Sequence, residues 1–264
     1  MAKIGDSILV GKGVLLSPRH PSAERMERGR TGVKQVPDMI DAYWFGVREE
    51  NGLVYSNAGN EPGWCDGEER TVANSERVKM CSWGYHAADS WFHALRYASG
   101  PIACRVRLEV VDRDYDGKMV GLRRMLVAHV NVTRELRLAA ADIAQHALLR
   151  EREARREPDL RLWKVVDAVR RYALGEIDEK MLKGAADAAY AVADSSYAAY
   201  AAYSASVNAI FDFSYAAYSA SIYDVCTYAR SAADVASDEH AWQSECFNYW
   251  IEQAFVRKRG GIGD

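Results

Sequence analysis

Residues 79–110, KMCSWGYHAADSWFHALRYASGPIACRVRLEV, contain the change of period on which the fold turns. Gly84 interrupts the first apolar run, and Asp89 or Ser90 stands where a short helix needs a side-chain acceptor for its first free amides. Trp91, Leu95 and Ala98 recur at helical spacing until Ser99-Gly100-Pro101 breaks the pattern. From Ile102 the period is two. Ile102, Cys104, Val106, Leu108 and Val110 alternate with Ala103, Arg105, Arg107 and Glu109, which predicts a strand with one buried and one wet face. Turn, helix and strand in this order make a wall for a ligand cleft, with Gly84, His86 and Tyr97 along it.

The surrounding composition bounds what such a cleft can serve. At 264 residues, 49% hydrophobic and 27% charged, the chain reads as soluble and globular, with material for a real core. A net charge of -3 gives no general field for nucleic acid or an anionic membrane. No apolar run approaches the ~20 residues of a membrane helix, and MAKIGDSILVGKGVLLSP lacks the layout of a signal peptide, so the expected address is the cytoplasm. Five widely spaced cysteines, Cys65, Cys81, Cys104, Cys226 and Cys246, read as mostly buried thiols. A zinc site on Cys65, Cys81 and His86 matches no common ligand spacing, and no metal is expected.

Along the chain the pattern predicts an α+β protein. Residues 1–132 form a mixed α/β domain, with alternating segments at Ser7–Leu16, Asp41–Val47 and Met125–Val132 and a basic, turn-rich arm over 17–40; residues 133–264 form a helical domain. Thr133 is the expected N-cap of the first long helix, whose buried face carries Leu136, Ala140, Ile143, Ala147 and Leu148. Pro158 restarts the chain in a first helical turn, Leu162, Val165, Val166, Val169 and Tyr172 follow at helical spacing, Gly175 closes that helix, and Asp178 caps the next. From Met181 to Tyr228 the chain is rich in Ala, Tyr and Ser, and YAAYSAS occurs at Tyr200–Ser206 and again at Tyr215–Ser221. Small Ala and filling Tyr predict closely packed helices, which also suit homo-oligomer contacts. The same tyrosines could form a stacking platform, but Asp187, Asp194, Asp212, Asp224 and Asp234 make the segment acidic and argue against nucleic acid. A last amphipathic helix over Asp238–Lys258 presents Trp242, Cys246, Tyr249, Trp250 and Phe255, with Arg257, Lys258 and Arg259 as a solvated cap; docking of this aromatic helix on a partner is the alternative.

Two resemblances attach to the opening stretch. Lys79, Met80, Cys81, Gly84, Tyr85, His86 and Ala87, followed by Ala94, Leu95, Tyr97 and Ala98, resemble the K-[LM]-C-x-x-G-[LFY]-H-A and A-L-x-Y-A signature of a bacteriophage and prophage protein family with no settled activity. The likeness extends through LWKVVDAVRRYALGEIDEKMLKGAADAA and covers roughly residues 76 to 195. It implies a phage origin and action in the host cytoplasm. Over a shorter stretch, Gly84-Tyr85-His86-Ala87-Ala88-Asp89 resembles the nicotinamide-pocket segment of ADP-ribosyltransferases of the poly(ADP-ribose) polymerase type, with Tyr97 where that family stacks a ring on nicotinamide. That resemblance implies a split-sheet fold and NAD as cofactor. The chain departs from the family at three places: Ala94 replaces the helix serine, AYWFGVREE offers Phe45-Gly46 with Arg48 two residues on instead of His or Arg beside Gly, and MLVAHVNV holds no Glu. Glu135 lies beyond that last strand and Glu109 on an earlier one.

The candidate site residues are therefore Gly84, Tyr85, His86 and Tyr97 for ligand binding, and His86, Tyr97 and Arg48 for catalysis. His86 is either an acid or base near its reference pKa of ~6.5 or, as favoured, a half-buried ring hydrogen-bonded to the backbone across the Gly84 turn. His93 covers its own helix, and His129 is expected on the wet face of its strand. The leading expectation is a phage-derived accessory protein, non-catalytic or weakly catalytic, that binds a host protein or a nucleotide-like ligand, with counter-defence as one use. The enzymatic alternative is an NAD-dependent ADP-ribosyltransferase or NAD-consuming enzyme, with Tyr97 on nicotinamide and His86 or Arg48 at the ribose. A structural virion or assembly component is the third reading.

Overall fold

Among the described residues, period-two segments become strands and period-3.6 segments become helices in the computed structural model, which describes residues 38–56, 61–193, 199–203, 205 and 233–260, with side chains from 241 onward in the last of these. In chain order they are β1 (Ile40–Gly46), β2 (Arg48–Glu50), β3 (Leu53–Tyr55), β4 (Glu69–Thr71), β5 (Tyr85–Ala88), α1 (Trp91–Leu95), β6 (Ile102–Arg113), β7 (Lys118–Asn131), α2 (Thr133–Glu153), α3 (Leu160–Ala173), α4 (Glu179–Tyr190) and a C-terminal helix, α5 (Ala233–Gly260). The fold is α+β, with antiparallel strand pairing among the described residues. None of the described helices is long and apolar enough to cross a membrane.

The long β6–β7 hairpin organises the main sheet. β6 pairs with β7 from Ile102↔Asn131 to Arg113↔Met119, and on its other edge with β1 from Ile40↔Leu108 to Gly46↔Ile102. β7 carries β5 at Lys118–Gly121 and β4 at Arg123–Met125. One pairing, Tyr43↔Ala88, joins β5 to β1, so β1, β6, β7 and β5 close into a ring of four strands. Register shifts between Arg105 and Val106, Glu109 and Val110, and Val110 and Asp112 bend the hairpin enough to allow closure. β2 and β3 form a separate two-stranded ribbon.

Alternation along the strands divides the apolar side chains between two cores. Ala42, Ile102, Cys104, Val106, Leu108, Met119 and Leu126 cluster with Val54 and Trp64. The second core runs from Phe45, Trp91, Leu95 and Ala103 into Leu136, Ile143, Leu148, Val165, Val169 and Leu182, and on to Phe247, Ile251 and Phe255 of α5. The passage from β7 to α2 at residues 131–133 is thus a change of secondary structure inside a core that sheet and helices share. Trp91 is central to it, with its ring centroid 4.4 Å from Tyr43, 5.7 Å from Phe45 and 5.9 Å from Phe255.

Several expectations are corrected. β6 does not have one wet face throughout: Ala103 is fully buried, and Arg105 lies over the Phe255 ring and pairs with Glu252, because α5 covers the start of the strand. His129 is buried at 3% exposure, since Asp66 and Glu49 reach over it from neighbouring segments. Val132, not Thr133, is the N-cap of α2, and the Asn131 carboxamide accepts from the Thr133 amide at 2.9 Å. Asp159 caps α3, so Pro158 lies before the helix. Tyr249 is 57% exposed, on the side of α5 away from Phe247 and Ile251. Arg257 pairs with the buried Glu135, and Lys258 donates to the His129 carbonyl at 2.7 Å, so the basic end of α5 is anchored to the body of the protein. Cys65 and Cys81 are exposed, while Cys104 is buried and Cys246 half-buried. Ser7–Leu16, most of the 17–40 arm, Cys226 and the second YAAYSAS lie outside the described residues. Of the first YAAYSAS, Ala201, Ala202 and Ala205 are buried.

Candidate ligand-binding site

The opening stretch folds into a wall whose shape depends on Gly84. This residue adopts φ +122°, and a Cβ there would lie 2.8 Å from Val120 Cγ2. Only a residue without a side chain lets the chain leave the 79–83 turn and enter β5 beside β7. The turn is closed by the Lys79 and Trp83 amides, each donating to the other's carbonyl, at 2.8 and 3.1 Å. Cys81 takes a left-handed φ of +59°, and its amide donates to His86 Nε2 at 3.0 Å. Downstream, the Ser90 hydroxyl accepts from the His93 amide at 3.2 Å and starts α1, which ends after Leu95 and leaves Tyr97 on an exposed shoulder.

Between these pieces lies a cleft of about 300 Å³, lined by residues that include Tyr43, Trp44, Ser82, His86, Tyr97 and Lys118. The Lys118 ammonium sits 4.1 Å from the Tyr97 ring centroid and 3.1 Å from Cys81 Sγ. A cation therefore stands at the face of the most exposed ring in the cleft. Burial holds the Tyr97 phenol above its ordinary pKa, with the nearby Asp114 charge adding to the effect, so it is a hydroxyl at neutral pH. Burial lowers the His86 pKa, and the Lys118 and Arg124 charges lower it further, against a hydrogen bond to the Gly84 backbone. His86 is thus a neutral ring committed to the backbone on both sides of the turn. None of the described residues lining this cleft is acidic.

The sequence candidates divide accordingly. His86 and Tyr97 line the same cleft. Gly84 and Tyr85 line a neighbouring cavity that also reaches His86 and Trp44. Arg48 is on the β2–β3 ribbon, pairs with Glu50 at 3.6 Å and lies 4.3 Å from the Tyr55 ring centroid. Glu109 pairs with Arg123 at 3.2 Å and Glu135 with Arg257; neither is among the residues lining the cleft. His93 is held 2.6 Å from Asp89. Among the described residues, no three His, Cys, Asp or Glu side chains gather as a metal site. Sequence reading did not single out Lys118, Ser82 or Trp44. Lys118 arrives through the β5–β7 register Ala88↔Lys118, a long-range pairing that leaves no local pattern. Comparisons with family models, curated proteins and solved structures find no match to this chain.

Proposed function

We propose that this protein binds a small, anionic, nucleotide-like ligand in the Tyr97–Lys118 cleft and does not cleave it. The observation that carries this reading is the Lys118 ammonium at the face of the Tyr97 ring, in a cleft with no acidic lining residue among those described. An aromatic ligand stacks on Tyr97 or Tyr43, and Lys118 supplies the counter-charge for a phosphate. A volume of about 300 Å³ suits a mononucleotide. Cleaving NAD asks for a group that stabilises positive charge developing at the ribose, and a carboxylate is the usual means. The lining offers a neutral His86 and a cationic Lys118 instead. We further propose, from the motif resemblance, that the protein is a phage-derived accessory factor acting in the host cytoplasm, where the cleft senses or sequesters its ligand or presents it to a host protein. The ADP-ribosyltransferase-like pocket is kept in this reading as a binding wall only.

The test is calorimetric titration of the full chain with AMP, ADP-ribose and NAD, paired with an assay for nicotinamide release from NAD. The expected result is saturable binding of at least one ligand, weakened about tenfold or more in Lys118→Ala, without release of nicotinamide. Failure of all three to bind would overturn the binding reading, and steady nicotinamide release abolished by Tyr97→Ala would restore the enzymatic one.

A further inference from the structure

Beside the cleft, on the other side of His86, a second cavity of about 490 Å³ opens among Ser56, Glu61, Ser82, Trp83, Tyr85 and Arg124. Arg124 comes from β7 and is 4% exposed. Its guanidinium carbon lies 4.1 Å from the Trp44 ring centroid, 4.4 Å from Trp64 and 5.0 Å from Tyr85. Nη1 donates to the His86 carbonyl at 3.1 Å, and Nε is buried without a hydrogen-bond partner. No described carboxylate forms an ion pair with it: Glu61 lies in the same cavity wall but is 3.8 Å from Arg70 and accepts from the Ser56 hydroxyl. Arg70 in turn lies 4.2 Å from the Trp64 ring centroid and pairs with Glu68. Burial pushes Arg124 down to about 10, with the Glu61 charge opposing that shift in part, and the guanidinium stays fully charged at neutral pH.

A charge taken out of water without a hydrogen-bonded counter-ion is costly, and ring faces and the more distant Glu61 carboxylate offset only part of that cost. An oxyanion is the partner this guanidinium lacks, and a planar fork recognises one through paired N–H donors. We propose that the Arg124 cavity is an oxyanion-binding site, taking a compact ligand whose carboxylate or phosphate meets the guanidinium while its body lies against Trp83 and Tyr85. Glu61 selects for a hydrogen-bond donor at the ligand's other end and against a second negative group. Trp83, 49% exposed, forms the mouth. This site is separate from the Tyr97–Lys118 reading and stands or falls without it.

The test follows the Arg124 Nε–Hε signal by NMR during titration of the full chain with inorganic phosphate and, separately, with acetate, against chloride at matched ionic strength. A saturable shift with phosphate alone assigns a phosphorylated ligand, with acetate alone a carboxylate ligand, and with both a general oxyanion site; each supports the proposal. Trp83→Ala, at the exposed mouth, should weaken the responding ion about threefold or more, as loss of a ring contact does. An Arg124 signal that moves no further in either arm than in chloride overturns it. This measurement is made on the unaltered protein, so it decides the matter even where Arg124→Lys fails to fold.

Discussion

At His86 the ring accepts a hydrogen bond from the Cys81 amide, and only the neutral imidazole can do so. Its pKa is lowered in the folded protein, first by burial and then by Lys118 and Arg124. The stability carried by this contact is therefore complete above the unfolded imidazole value of ~6.5 and is lost as pH falls through the lower folded value. His86→Phe removes the acceptor. It should cost about 1 kcal/mol at pH 7 in denaturant melts and make the decline in stability toward acid shallower than in wild type. A His86 titration midpoint above the ordinary imidazole range, read by NMR, would contradict this. His86, Gly84 and Tyr97 were legible in the sequence because they share one local motif. Lys118 and Arg124 were not, since strand register alone brings them beside it.

The β6–β7 turn shows how one element fixes another. Gly117 has φ +76°, donates to the Asp114 carbonyl, and accepts at its own carbonyl from the Asp89 amide at 3.0 Å, which ties the hairpin tip to the start of α1. A Cβ at Gly117 would lie 2.3 Å from His93 Nδ1 and 2.4 Å from Asp89 Oδ1, whereas Gly67, with φ +83°, has nothing within 4 Å. Gly67→Ala should therefore cost about 1 kcal/mol, from backbone strain alone, and Gly117→Ala about 2–3 kcal/mol, from strain plus the clash. Equal losses in thermal or denaturant melts would show that the turn is not packed on α1. The helices α3 and α4 were readable from their spacing and caps, with Gly175 just past α3 and Asp178 capping α4 through the Met181 amide. The apolar face of α5 was readable from its spacing, since Trp242, Cys246, Trp250 and Phe255 all pack on the core and only Tyr249 of that set faces outward. The wet face of β6 was not, because periodicity describes one element at a time and cannot see Phe255 arriving over Arg105.

On the scale of the whole molecule, α5 locks the helices to the sheet. Trp91 donates to Glu252 at 3.3 Å, Arg105 pairs with the same carboxylate, and Arg257 meets Glu135 at the base of α2. Glu135 has 1% side-chain exposure, so Arg257→Ala strands a buried carboxylate and should cost about 3 kcal/mol, against less than about 0.5 kcal/mol for Arg259→Ala in the exposed last turn. Similar melts for the two variants would mean that the pair is not closed in solution. The sequence divided the chain at residues 132 and 133, where the period changes, yet the buried side chains cross that point, because Phe45, Trp91 and Ala103 pack into the same core as α2 and α5. That packing supports the wall on which Tyr97 and Lys118 meet. The most direct measurement of the proposed function is a titration of the full chain with AMP, ADP-ribose and NAD in turn, followed by backbone amide NMR. Binding in the cleft predicts saturable shifts at Ser82, Tyr97 and Lys118 with at least one of the three, with the midpoint at Ser82 and Tyr97 moved about tenfold or more to higher ligand in Lys118→Ala. No saturable shift with any of them, or shifts confined to the Arg48–Tyr55 ribbon, would contradict it.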